Sequence, residues 1–178
     1  MEEGLQNIIL PNAAIVDLYN KHLVVIEGVE KVEKKVAKQP AAKQNNELIF
    51  LGDNKKNIAI AVNDETATYL RDEWLQLLTN MLTACKLNIG DVAIINMHKQ
   101  PTDFIQLKEK INPSFCLLFG VKTNALDLPF VMPDYQIQKH NNCSFITAPS
   151  FAAMEGNSQE AKIEKSKLWV CLKQLFNI

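Results

Sequence analysis

The sequence predicts an α/β protein: a three-layer α/β/α sandwich with a mainly parallel central sheet. Three observations lead to this fold class. Runs that are apolar at every position, such as 92–95 and 115–119, alternate with segments of helical periodicity. Strands that are apolar throughout are typical of a sheet buried on both faces. The segments between these runs are long enough to hold the helices that parallel pairing requires.

The chain has 178 residues, enough for one such domain and an extension. Apolar blocks occur over residues 8–26, where we predict a short helix at 12–21 and an extended piece after it. Residues 27–46 are rich in charged and polar side chains, which is typical of a linker or of a frayed surface segment. We therefore predict an N-terminal extension, residues 1–46, consisting of an apolar segment and a charged linker, and a domain over 47–178.

The apolar segment has two interpretations. A loosely attached apolar segment suits docking on a partner protein by a helix-in-groove or added-strand contact. The other interpretation is that it packs on its own domain. The candidate partner-docking residues are Ile15, Leu18, Tyr19 and Leu23.

The domain begins with two β-rich runs, 48–51 and 58–62, on either side of the polar turn 52–57, which predicts an antiparallel hairpin. Three helices are predicted: the amphipathic helix 72–86 with Asp72 as N-cap, the helix 103–111 opened by Thr102, and the helix 159–176, which has an apolar inner face. The remaining strands are predicted at 92–95, 115–119 and 143–147, with a loop rich in Pro and Asp before the last.

The charge balance argues against a dedicated nucleic-acid binder. Nineteen basic and 20 acidic residues give a net charge of −1, so no overall field attracts DNA or an anionic membrane. Arg71 is the only arginine, although bidentate recognition of guanine or phosphate favours arginine over lysine. An AT-rich genome would account equally well for the excess of lysine and for the 17 asparagines.

Several classes of site have no signature in the sequence. The four cysteines are more than 25 residues apart with no CxxC pair, so we expect buried, reduced thiols and no metal site. No glycine-rich nucleotide loop or GxSxG motif is present, so we expect no cofactor. No apolar run approaches the ~20 residues that span a bilayer, and the acidic start lacks the basic region of a signal peptide. We expect a cytoplasmic protein without membrane contact.

Ligands of parallel sheets bind outside the carboxyl ends of the strands. In this sequence Asp64 is a candidate general base there, with His98 as its partner. The alternative is that Asp64 only caps the following turn, as aspartates at strand ends commonly do. The candidate cleft residues are Asn63, Asp64, Asn96, Ala148, Pro149 and Ser150.

The order of the motifs resembles the uracil-DNA glycosylase superfamily. Segment 77–96 is similar to the helix and strand that follow the first catalytic loop of that family, with Leu-Leu, Met-Leu and Asp-Val at matching places. Segment 111–120 is similar to the next strand and its closing glycine, and 148–173 to the final Pro-Ser motif and Trp-containing helix. The resemblance covers about residues 47–176 and implies a uracil-DNA glycosylase-like fold.

The departures from that family imply a pseudoenzyme. The first loop, 62–67, has neither the Gly nor the Pro of the catalytic loop, and Ala148 stands where the family has the histidine that stabilises the departing base. Non-catalytic relatives, the psi subunits of bacterial DNA polymerase III, have an N-terminal peptide, a strand ending in Asn-Asp (here Asn63 and Asp64) and a Trp-containing last helix (here Trp169).

This closer resemblance implies a non-catalytic protein-interaction subunit in bacterial DNA replication, with clamp-loader or other replisome subunits as partners. The alternative is a divergent DNA glycosylase, or another hydrolase acting on a nucleobase at the cleft. For the pseudoenzyme we expect a cleft that is shallow or plugged by side chains. With Asp64 and Glu65 near its mouth and no arginine close in sequence, we expect it to repel phosphate, so that direct DNA binding is weak or absent.

Overall fold

The computed structural model describes residues 47–178, which contain a five-stranded mixed sheet and three α-helices. The N-terminal extension, with Ile15, Leu18, Tyr19 and Leu23, lies outside the described residues. The strands are β1 (Ile58–Val62), β2 (Val92–Asn96), β3 (Phe115–Phe119), β4 (Ile137–His140) and β5 (Cys143–Ala148). The helices are α1 (Asp72–Ala84), α2 (Phe104–Lys110) and α3 (Gln159–Phe176).

The strand order across the sheet is β2-β1-β3-β5-β4. Strands β2, β1, β3 and β5 are parallel to one another, and β4 pairs antiparallel with β5 at one edge. The prediction of an α/β protein with a mainly parallel sheet is therefore confirmed. Because the register pairs Val62 with Asn96 and Phe119, and Phe119 with Ala148, the carboxyl ends of these four strands lie side by side.

Apolar side chains fill both faces of the sheet, since successive strand residues point in opposite directions. Ile60 and Val62 of β1 belong to the core under α1 and α3. Ala59 and Ala61 face the other core, which contains Phe104 and Leu107 of α2. Segment 121–132 contributes further apolar residues to this second core. The three-layer arrangement is thus present, with one short helix and irregular chain in the second outer layer.

The predicted hairpin between 48–51 and 58–62 is wrong. Leu51 instead forms an antiparallel bridge with Ile94 of β2, with N–H···O distances of 2.9 and 2.8 Å. The reason is that β1 lies between β2 and β3, so both of its edges are already paired. Segment 47–56 therefore runs along the outer edge of β2.

Two predicted helix caps also need correction. Arg71, not Asp72, is the N-cap of α1, and Asp72 lies in the first turn. A carboxylate there interacts favourably with the helix dipole without capping it. Asp103, not Thr102, caps α2, since its carboxylate accepts a hydrogen bond of 2.7 Å from the Gln106 N–H. The Thr102 hydroxyl donates instead to the Gln100 carbonyl.

Candidate functional site

The ends of β1 and β2 are joined by the side chain of Asn96. This residue is 2% exposed. Its amide oxygen accepts hydrogen bonds from the N–H groups of Asp64 and His98, both at 3.1 Å. Its amide nitrogen donates to the carbonyls of Asp64 and Ala67, at 2.7 and 2.9 Å. All four hydrogen-bonding positions of the amide are therefore used within the chain.

The carboxylate of Asp64 is equally engaged. One oxygen accepts from the N–H and hydroxyl of Thr66, at 2.9 and 2.7 Å, and from the Ala67 N–H at 3.3 Å. The other oxygen accepts from the Arg71 N–H at 2.9 Å. The interpretation of Asp64 as a cap of the turn after β1 is confirmed, and the same carboxylate also serves the N-cap residue of α1.

These hydrogen bonds keep the Asp64 carboxylate ionised. Burial acts to raise the pKa of its carboxyl, but the hydrogen bonds from Thr66, Arg71 and Ala67 outweigh burial and hold the pKa well below its ordinary range. A general base works best with a pKa near the working pH and needs a free lone pair facing the substrate. Asp64 meets neither condition. His98 is exposed, and its backbone N–H, donating to Asn96, is the group that joins it to this network.

The expectation that the cleft has no arginine close in sequence is wrong, since Arg71 follows Asp64 by only seven residues and lies beside it. The Arg71 Nε is 3.4 Å from an Asp64 carboxylate oxygen. The Arg71 guanidinium also lies over the indole of Trp74, 3.7 Å from the ring centroid. The loop 64–71 turns back on itself and brings Arg71 beside Asp64. Asn96 holds the first residue of the loop, and the Arg71 N–H, at its end, donates to the Asp64 carboxylate.

The ends of β3 and β5 approach each other closely. The Gly120 N–H donates to the Ala148 carbonyl at 2.9 Å. A Cβ atom on Gly120 would lie 2.8 Å from the Cβ of Ser150, nearer than van der Waals contact allows. Ala148 is 4% exposed and belongs to the core under α1 and α3, whereas Pro149 and Ser150 are half-buried. Little room for a ligand remains between these two strand ends.

Aromatic side chains fill the space next to these strand ends on the α1 side. Phe119 stacks on Phe151 with ring centroids 4.4 Å apart, and Trp74 lies 6.0 Å from Phe151. The Trp74 Nε1–H donates to the Glu155 carboxylate at 3.0 Å. Phe119 and Phe151 are almost fully buried. These buried rings occupy the space beside the ends of β3 and β5 on the α1 side.

The six predicted cleft residues do not form one site. Asp64 and Asn96 are in direct contact, but Asn63 is exposed, and Ala148, Pro149 and Ser150 belong to the β3–β5 end. A pocket of about 460 Å³ borders Asn96 and none of the other five. Sequence reasoning missed its other lining residues, since their side chains follow no motif: Glu47, Ile49, Thr68, Tyr69, Lys99 and Gln100.

This pocket lies between the loops that follow β1 and β2 and the segment along the β2 edge. The Gln100 side chain holds that segment, accepting from the Ile49 N–H at 3.0 Å and donating to the Glu47 carbonyl at 3.1 Å. The Lys99 ammonium donates to the Glu65 carbonyl at 2.6 Å. The side chains of Asn96, Lys99 and Gln100 are thus paired within the chain, and Tyr69 supplies the aromatic wall of the pocket.

All four cysteines are buried free thiols, as predicted. Within residues 47–178 no cluster of three His, Cys, Asp or Glu side chains is placed to hold a metal ion. No helix in this part of the chain is long and apolar enough to cross a membrane. Neither a family model nor a curated protein sequence matches the chain.

Proposed function

We propose that this chain is a non-catalytic protein-interaction subunit on a degenerate uracil-DNA glycosylase fold. The observation that carries the proposal is the mutual engagement of Asp64 and Asn96, the two polar side chains best placed for chemistry at the strand ends. Asn96 makes four hydrogen bonds within the chain, and the Asp64 carboxylate accepts from three backbone N–H groups and a hydroxyl. These side chains hold a loop together and leave no free base for catalysis.

The uracil-DNA glycosylase-like part of the proposal is supported by where the resembling motifs fall. Segment 77–96 runs through α1 and β2, and 115–119 is β3. The Pro-Ser pair follows the end of β5, and Trp169 lies in α3. Each motif occurs in the type of element that the resemblance requires, in the same order. The alanine at the end of β5 supports loss of base excision, because its methyl group cannot stabilise a departing base.

The partner proposed is a clamp-loader or other replisome subunit of the bacterial cytoplasm, bound through residues 8–26. The test is affinity purification of the tagged full chain from its native cell, followed by mass spectrometry. We expect clamp-loader subunits to be recovered. We also expect their loss when serine replaces the four docking candidates Ile15, Leu18, Tyr19 and Leu23. Recovery without any replisome protein would contradict the proposed partner.

One observation favours the alternative of a divergent glycosylase or another nucleobase hydrolase. The pocket beside Asn96, at about 460 Å³, has an aromatic wall in Tyr69. The test is a uracil-excision assay on single-stranded and duplex DNA, with Asp64→Ala as the control. We expect no base release above background. Release by the wild-type chain that Asp64→Ala abolishes, while this variant still shows a cooperative unfolding transition, would establish the alternative.

Weak DNA binding belongs to the same proposal. We expect a labelled single-stranded oligonucleotide to show little affinity at about 150 mM salt, because few counterions would be released. Submicromolar affinity with a steep dependence on salt would contradict this expectation and add nucleic acid to the partners.

A further inference from the structure

An apolar groove of about 220 Å³ runs between α1 and α3 on the outer face of the domain. Leu168 and Leu172 are buried and form its floor. Leu77, Met81 and Trp169 are half-buried in its walls, and Ala84 is exposed at its edge. Three large apolar side chains therefore remain partly exposed along one continuous strip.

The α3 rim of this groove is basic. Lys165 lines the groove, with its ammonium donating to the Gly156 carbonyl at 2.7 Å. The Lys173 ammonium lies 5.8 Å from the ring centroid of Trp169. At 100° per residue, Lys162 falls on the same flank of the helix. Glu164, the only acidic residue of α3 after its first turn, lies on the opposite flank, where its carboxylate bonds to Tyr135 and Lys167.

The α1 rim adds little negative charge. The acidic residues of α1 are Asp72 and Glu73, both in its first turn, and residues 74–84 contain none. Asn80 is the polar residue of α1 that lines the groove. A ligand lying along the groove would therefore meet an apolar floor and, on one side, a row of lysines without carboxylates between them.

We propose that this groove binds an amphipathic helix of a partner protein whose apolar face carries acidic residues along one flank. Apolar side chains at i, i+3, i+4 and i+7 would fill the strip between the helices, and glutamates or aspartates beside them would face Lys162, Lys165 and Lys173. The proposal deepens the protein-interaction role and rests on it, but it concerns a surface separate from residues 8–26. A nucleic acid suits the groove less well, because an apolar floor offers nothing to phosphate.

The probe is a labelled helical peptide of about 18 residues, with leucines at the spacing above and glutamates along one flank, long enough to lie along both helices. A companion peptide carries lysine in place of every glutamate. Binding of each to the full chain is measured by fluorescence anisotropy. We expect the acidic peptide to bind at least about tenfold more tightly than the basic one at low salt, where charge contacts are least screened.

The groove variants are Ala84→Glu and Lys173→Glu, both at exposed positions where the fold tolerates a charge. We expect Ala84→Glu to weaken binding of the acidic peptide by about tenfold or more, since a carboxylate would enter the apolar strip. Lys173→Glu should weaken it by about threefold to tenfold and reduce its salt dependence. The matched control is Ile105→Glu, at a 68% exposed apolar residue of α2 on the other side of the sheet, which should change nothing.

Five results would overturn the proposal. The first is equal or absent binding of the two peptides, and the second is binding that Ala84→Glu leaves unchanged. The third is a dimer of the chain that Ala84→Glu converts to monomer, which would assign the groove to a second copy. The fourth is tighter binding at the groove of a peptide copying residues 8–26, and the fifth is displacement of the acidic peptide by an oligonucleotide. Replisome subunits recovered by affinity purification alongside any of these results would leave the proposed function standing without the groove.

Discussion

The amide of Asn96 clamps the backbone of Asp64 from both sides, accepting from its N–H at 3.1 Å and donating to its carbonyl at 2.7 Å. Asn96 ends β2 and Asp64 lies two residues beyond the end of β1, so the clamp joins the loops after two adjacent strands. The Asp64 carboxylate then reaches forward to Arg71, the N-cap residue of α1. One asparagine thereby fixes the path from β1 into α1.

We predict that Asn96→Asp destabilises the protein by about 3 kcal/mol or more, because a carboxylate cannot donate to the carbonyls of Asp64 and Ala67 and each buried group left unpaired costs about 1 to 3 kcal/mol. The free energy of unfolding of the full chain in urea measures the effect. Asn63→Asp, at the exposed residue before Asp64, is the control and should change stability by no more than about 0.5 kcal/mol. Equal losses in the two variants would show that the clamp contributes little.

The pH dependence of stability follows from the lowered pKa of Asp64. Because the pKa of this carboxyl is lower in the folded than in the unfolded chain, its ionised form stabilises the fold above the unfolded value of about 3.9. That contribution is lost as the pH falls from about 5 towards the folded pKa. We predict that Asp64→Asn is less stable than the wild type at pH 7 and loses less stability on acidification.

The measurement is urea unfolding at several pH values between about 7 and 2. Glu65→Gln, which removes an exposed neighbouring carboxylate, should reproduce the wild-type dependence. A wild-type curve parallel to that of Asp64→Asn would mean that the hydrogen bonds to this carboxylate do not lower its pKa.

The strands and helices that have a clear pattern of apolar residues were predictable from the sequence. The bounds of β3 and α3 agree with the prediction, because 115–119 is apolar throughout and the apolar residues of 159–176 repeat with helical spacing. Strand β4 was missed because Gln138 and Lys139 are polar and exposed at the sheet edge. The pair Asn141-Asn142 was the sequence signal for a hairpin, because a two-residue hairpin turn favours asparagine at positive φ. In the structure these residues have φ values of 49° and 60°.

The candidate site was predictable only in part, for a different reason. Parallel register brings the residues after β1 and β2 together, so the proximity of Asp64 and Asn96 follows from the fold class. The direction in which each side chain points does not follow from the fold class. The direct hydrogen bonds of Asn96, the return of Arg71 to Asp64 and the stacking of Phe151 on Phe119 depend on loop conformations that no periodicity encodes.

The four cysteines should be inert in the folded chain. Burial raises the pKa of the Cys143 thiol to about 12 and also raises the pKa values of Cys85, Cys116 and Cys171. Since the thiolate is the reactive form, we predict no fast reaction with a disulfide reagent at pH 8 and four reacting thiols in guanidinium. Ser166→Cys, at an exposed position of α3, should add one fast thiol. A fast thiol in the wild-type chain would contradict the burial described for these residues.

The approach of Gly120 to Ser150 gives a prediction that separates steric contact from backbone strain. Gly120→Ala places a Cβ 2.8 Å from the Ser150 Cβ at a φ of +66°, and should cost about 2 to 4 kcal/mol in the free energy of unfolding. Gly156→Ala is the matched control, since Gly156 has a φ of +77° with open space around it. It should cost only about 1 to 2 kcal/mol, the strain of the left-handed conformation alone.

The double variant Gly120→Ala with Ser150→Gly tests the contact itself. Removing the Ser150 side chain takes away the nearest atom, the Cβ at 2.8 Å, and leaves the Ser150 Cα at 3.1 Å, so we expect part of the loss caused by Gly120→Ala to be recovered. The strain at a positive φ remains, together with about 0.5 to 1 kcal/mol for the added glycine. Equal costs for Gly120→Ala and Gly156→Ala, with no recovery in the double variant, would mean that the β3 and β5 ends separate easily. The strand-end cleft could then open far enough to admit a ligand.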